Sequence, residues 1–150
     1  MISGVQGTLE VRGSASVTIN IGTISLTIFA PTSTISVLGN IGEWVKLYTY
    51  LYFKEENLSL YGFATSIERD MFELLISVGG VGPKIALSLL SAMAPDRIAN
   101  AIASGAIEQL TQVSGLGKKM AGRLVLELKG KLERRWGVVA TPISEEMTAV

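Results

Sequence analysis

Two short runs carry residue types at a spacing that could do chemistry: Gly80-Val81-Gly82-Pro83-Lys84 and Gly115-Leu116-Gly117-Lys118-Lys119. Glycine permits a tight turn and a close backbone approach, and a helix that starts just after it presents unpaired N–H groups at its positive end. With a lysine beside those donors, each run is a seat for a phosphate oxygen. The nucleotide-loop patterns do not fit. A Walker loop needs glycine directly before its lysine and Ser or Thr directly after, whereas Lys84 stands between Pro83 and Ile85. Lys118 follows Gly117 but is itself followed by Lys119, with Gln112 where the leading glycine belongs. The dinucleotide pattern fails too, because Ile85 and Met120 occupy the third small-residue position and each run follows a helical rather than a strand pattern. Two readings stay open at this point: ordinary turns between helices, or a paired grip on a phosphate backbone.

The two runs are copies of one unit. Gly80 to Leu89 recurs as Gly115 to Leu124, thirty-five residues later, and upstream Phe72, Leu75 and Val78 correspond to Ile107, Leu110 and Val113. Spacing by three places each trio along one side of a helix leading into the glycines. The repeated unit is therefore helix, tight turn, helix, with Val81 or Leu116 free to wedge between the helices.

The elements around these turns follow from composition and periodicity. The 150 residues are 48% apolar and 17% charged, enough for one sizeable core or two small ones in a soluble chain. No apolar stretch is long enough to span a bilayer, and the N-terminus lacks a signal peptide's basic start, so a cytoplasmic protein without membrane contact is expected. The chain has neither cysteine nor histidine. Disulfides and thiolate metal sites are thereby excluded, the commonest acid/base group is missing, and neither metal nor cofactor is expected.

Up to residue 63, alternating runs such as Val17 to Ile21 and Ile24 to Ile28, with the β-branched and aromatic run Trp44 to Phe53, have the period of strands. Turn signals at Asn20-Ile21-Gly22, Gly39-Asn40 and Glu55-Glu56-Asn57 separate them. These residues predict a small antiparallel β-barrel domain over 1–63. From residue 64 the period changes, and helices are expected over Ser66 to Val78, Lys84 to Met93, Pro95 to Ala103 and Lys118 to Trp136, the first capped by Ser66 with Glu68 and Asp70 at its positive end. In the last helix Met120, Ala121, Leu124, Val125, Leu128, Leu132 and Trp136 form one apolar stripe. Leu126 falls outside it, either an isolated exposed leucine or a subunit contact.

Charge is balanced overall and segregated locally. Residues 111–136 hold Lys118, Lys119, Arg123, Lys129, Lys131, Arg134 and Arg135 against Glu127 and Glu133, a net +5, while 1–63, 64–110 and 137–150 carry −1, −2 and −2. That segment reads either as a solvated helix face with i,i+4 pairs such as Glu127 to Lys131 or as a polyanion footprint.

The doubled glycine–lysine unit after a β domain ending in Leu60-Tyr61-Gly62-Phe63 resembles tandem helix-hairpin-helix proteins, and specifically the RuvA family of Holliday-junction-binding proteins, from Met1 to about Trp136. The resemblance implies an α+β multidomain chain: an OB-fold-like barrel over 1–63, an all-α domain with two helix-hairpin-helix motifs over 64–136, and the start of a flexible linker over 137–150. It implies sequence-independent binding of a four-way DNA junction by a homotetramer that holds the junction open and flat, two tetramers being able to stack on one junction. The family's partners are the RuvB ATPase, which drives branch migration, and the RuvC resolvase. The family continues into a third helical domain that binds the motor. A chain ending at Val150 is expected to lack it, and so to bind junctions without supporting RuvB-driven migration.

Carried over position by position, Gly80, Val81, Gly82 and Lys84 match the first phosphate-binding hairpin, and Gly115, Leu116, Gly117, Lys118 and Lys119 the second, with Arg123 one turn further on. Glu55 and Glu56 match the family's acidic pin, where carboxylates of symmetric subunits repel phosphates from the junction centre. By themselves they read as a solvated turn. Ser114 replaces the family's usual proline and Met120 a frequent threonine, so no hydroxyl contact is expected there. Two other classes stay in view: a helix-hairpin-helix repair enzyme, and a scaffold whose glycine turns only pack helices. The enzyme reading lacks a site, because the first acid after Lys119 is Glu127 on an ordinary helical run and no acidic cluster is present. The expected protein is non-catalytic.

Overall fold

The computed structural model describes residues 2–136. Five strands, β1 (Gly4–Arg12), β2 (Ser16–Asn20), β3 (Ser25–Phe29), β4 (Trp44–Lys54) and β5 (Asn57–Phe63), close into a barrel in the order β1-β2-β3-β5-β4, with a short helix α1 (Thr32–Val37) between β3 and β4. All pairings are antiparallel except β3 with β5, which meet in parallel at Phe29 and Tyr61. This is an OB-like barrel.

Closure depends on β1, which serves two neighbours: Gly4 to Thr8 pair with β4, and Thr8 to Arg12 with β2. Its register slips between Leu9 and Val11. There the Leu9 N–H donates to the Glu43 carbonyl at 2.9 Å and the Gly42 N–H to the Leu9 carbonyl at 2.8 Å. Such an irregularity bends a strand and adds twist, which turns an open sheet into a closed one. The inward positions Val5, Leu9, Val17, Ile19, Ile28, Val45, Leu47 and Leu60 form the core together with Ala30 and Ile35. Gly62 is the residue of the Tyr61-Gly62-Phe63 run that lets this core close. A Cβ there would lie 2.7 Å from Ile28 Cγ2 and 2.9 Å from Leu47 Cδ1.

The helices are α2 (Ser66–Ile76), α3 (Pro83–Ala92), α4 (Pro95–Ser104), α5 (Ile107–Thr111) and α6 (Lys118–Trp136). The expected cap of α2 was Ser66; the structure gives that role to Thr65. The Glu68 N–H donates to Thr65 Oγ1 at 3.2 Å and the Thr65 hydroxyl to Glu68 Oε1 at 3.1 Å. A Thr-x-x-Glu spacing puts hydroxyl and carboxylate in mutual reach, which Ser66 has no acid at the right distance to match. Two compact units result, one through Glu73 and one from Leu74 onward. The division between them falls inside α2. The Phe72 ring explains it, packing 5.0 Å from both Tyr61 and Phe63 and 5.8 Å from Tyr50, centroid to centroid.

In the second unit Leu74, Leu75, Leu89, Ile98, Ile102, Leu110, Leu124, Leu128 and Leu132 are buried together with Ala86, Ala99 and Ala121. Pro83 and Pro95 occupy the first turns of α3 and α4, where a missing N–H costs nothing. Of the expected α6 stripe, Ala121, Leu124, Leu128 and Leu132 are buried and Met120 and Val125 half-buried, whereas Leu126 is 83% exposed. The side chains of Arg135 and Trp136, and the expected linker 137–150, lie outside the described residues. Among those described, no helix is long and apolar enough to cross a membrane, and no cluster of ligating side chains could hold a metal ion.

Candidate nucleic-acid interface

Both glycine runs form the same turn. In the first, between α2 and α3, the Val78 N–H donates to the Leu75 carbonyl at 3.2 Å, the Val81 N–H to the Val78 carbonyl at 3.0 Å, and the Ala86 N–H to the Gly82 carbonyl at 3.1 Å. In the second, between α5 and α6, the equivalents are Val113 to Leu110 at 3.2 Å, Leu116 to Val113 at 3.1 Å and Ala121 to Gly117 at 2.9 Å. Gly80 and Gly115 take φ values of +90° and +87°, a region that L side chains resist. The repeat seen as letters is thus a repeat of hydrogen bonds and backbone angles.

The middle residue of each turn acts from the inside. Val81 and Leu116 are 5% and 3% exposed, wedged among the helices, and their N–H groups are engaged within the turn. Both the side chain and the amide of these two are engaged inside the turn. The outward donors are the ones at the helix starts. Gly82 caps α3 in extended conformation without a side-chain hydrogen bond, and Pro83 has no N–H, so the amides of Gly82, Lys84 and Ile85 head that helix. On α6 those of Gly117, Lys118, Lys119 and Met120 do the same. Lys84, Lys118 and Lys119 are exposed beside them.

Arg123 does more than extend the second hairpin. Its guanidinium lies over the first one: a Cβ at Gly79 would come within 2.9 Å of Arg123 Nη2. Met120 covers the adjacent glycine, its Cε 2.7 Å from where a Gly80 Cβ would stand. Met120 is therefore a packing element between the two turns. Arg123 Nε also donates to Glu127 Oε2 at 2.6 Å, one turn along α6. Sequence reasoning missed the bridge between hairpins. Its only trace was the doubled glycine, Gly79-Gly80, where the second copy has Ser114-Gly115.

Glu55 and Glu56 form the two-residue turn joining β4 to β5, closed by the Lys54–Asn57 pair. Both glutamates have left-handed backbone, φ 53° and 65°. Positive φ at both central positions is the type I′ turn, for which Asn-Gly is the favoured sequence. Two glutamates there hold exposed carboxylates on a sharply turned tip at the expense of local stability.

Comparison with known proteins agrees with this construction. The family described as RuvA N terminal domain matches residues 1–62, and the SAM-like helix-hairpin-helix tandem matches residues 72–131. A protein of Chloroflexus aurantiacus named Holliday junction branch migration complex subunit RuvA is 46% identical over 142 residues, covering 95% of this chain and 73% of its own length. The chain belongs to the RuvA family. Identically named RuvA relatives from Acetivibrio thermocellus and Thermomicrobium roseum are 46% and 43% identical over 134 and 150 residues, 89% and 99% of this chain. The chain spans 66% of the first of these and 78% of the second.

Proposed function

We propose that the protein binds four-way DNA junctions through phosphate contacts, without reading sequence and without cutting DNA, as the junction-holding subunit of a branch migration complex. The observation that carries this is the duplicated hairpin, whose two turns agree in hydrogen bonding and in backbone angle and each open onto a helix start flanked by exposed lysine. Two such seats can grip two points on a phosphate backbone; nothing in them presents the Arg, Asn or Gln cluster of a base reader. The names of the relatives supply the four-way junction as ligand. A homotetramer, two of which stack on one junction, with RuvB ATPase as the motor and RuvC resolvase as a further partner, completes the reading. Glu55 and Glu56 act as the pin, keeping phosphates away from the crossover and orienting the arms. Glu127 is engaged with Arg123, which supports a non-catalytic role.

The test is a gel-shift titration of four-way junction and linear duplex at several salt concentrations, with a parallel incubation in Mg²⁺. Preferential junction binding that weakens with salt is expected. Equal affinity for the two DNAs would remove junction specificity, absence of binding would leave a packing scaffold, and strand cleavage would establish an enzyme.

A further inference from the structure

The β4–β5 hairpin continues a core-facing row past the end of the core. Along β4 the alternate positions Val45, Leu47 and Thr49 are buried, Leu51 is half-buried, and Phe53 is 70% exposed. On β5 the partners of Leu51 and Phe53 are Leu60, which is buried, and Leu58, which is 64% exposed. Phe53 and Leu58 therefore share a face, with the parity of barrel-core residues and no barrel to cover them. Immediately beyond them stand Lys54, the two glutamates and Asn57.

We propose that this pair is a stacking surface for nucleobases at the crossover of a bound junction. The inference rests on the junction-binding reading, and it gives the pin a second, attractive part. An open junction exposes the outer faces of the base pairs that flank the strand exchange, and those faces are flat, apolar and uncharged. Aromatic side chains stack on such faces whatever the base. The charge of the tip selects this occupant. Glu55 and Glu56 repel phosphates and would repel the same tip of a second copy, since Lys54 is the tip's single cation against two carboxylates. They are compatible with a neutral base, whose exocyclic amino groups can donate to a carboxylate.

The experiment places 5-iodouracil either in the base pair next to the crossover or eight base pairs out along one arm, binds the unmodified protein, and irradiates. Cross-linking to Phe53 is expected from the central position only. Phe53→Ala should abolish it and weaken junction affinity about tenfold, in line with the worth of a lost base stack. Phe53→Trp should retain both, and the thermal midpoints of both variants should stay close to that of the unmodified chain. A central cross-link that avoids Phe53, or an unchanged affinity for Phe53→Ala, overturns the inference while leaving junction binding intact. A smaller assembly of Phe53→Ala in sedimentation without DNA would make the occupant a second copy and overturn it as well. Failure of the unmodified protein to bind junction withdraws both readings.

Discussion

Gly80 and Gly115 share a backbone angle and differ in surroundings, which separates two reasons for being glycine. At Gly115 nothing lies within 4 Å of a built Cβ, so Gly115→Ala adds only the strain of a positive φ, about 1–2 kcal/mol. At Gly80 the same change also drives the new methyl into Met120 Cε. Gly80→Ala is therefore expected to be the more destabilising of the two in urea unfolding, and Gly80→Ala combined with Met120→Ala should recover part of the difference. Equal losses would mean that Met120 moves aside freely. The lysines predict a different signature, because they are exposed and, in the proposed function, meet the ligand rather than hold the fold. Lys84→Ala or Lys119→Ala should leave stability unchanged, weaken DNA binding about equally across sequences, and reduce the slope of log K against log salt by roughly one per lost contact. Unequal losses among sequences would show base reading.

Among the elements, the β4–β5 hairpin is the one whose local preferences are overridden. Left-handed glutamates cost about 1–2 kcal/mol each relative to residues suited to that region. Replacing Glu55-Glu56 by Asn-Gly should raise the unfolding free energy by about 2–4 kcal/mol, and Glu55→Gln with Glu56→Gln should leave it nearly unchanged. Both variants remove the repulsion, so junction affinity should stay intact or rise in gel shifts, with the arms less strictly oriented in fluorescence transfer between labelled ends. A large loss of affinity would sink the pin assignment. The same hairpin shows what the sequence could and could not convey about elements. Its alternation and its turn were legible, as were the helices after residue 64 and the repeat, because hydrophobic period and glycine spacing are local signals. Strand β1 was not, since Gly4, Gly7 and polar neighbours dilute its alternation; a Cβ at Gly7 would stand 2.2 Å from the Asn20 carbonyl oxygen, a contact visible only once β2 is beside it. Helix α1 was hidden by its β-branched Thr32, Thr34 and Ile35, which by themselves favour strand.

Across the whole molecule, pattern alone conveyed a small barrel followed by helices, while the register slip that closes the barrel and the bridge by Arg123 depend on residues far apart in the chain. The barrel's aromatic cluster makes that dependence measurable. Burial holds the Tyr50 hydroxyl above the usual tyrosine value of 10.0, with Glu73 and Tyr52 adding to it. Burial also raises Tyr61, opposed by its hydrogen bond with Ser59 and aided by Tyr52. Unfolding returns both to ordinary values, so above that value the unfolded chain has released protons that the native one still holds. Stability falls with pH wherever the unfolded state binds fewer protons. The contribution of these two tyrosines is thus fully present below their ordinary value and is lost as the pH rises through it towards the raised native values. Urea unfolding followed at increasing alkaline pH should show that decline, and Tyr50→Phe with Tyr61→Phe should flatten it, because a ring without a hydroxyl keeps the packing against Phe72 and has no proton to lose. A decline as steep in the double variant would place the alkaline sensitivity elsewhere in the chain.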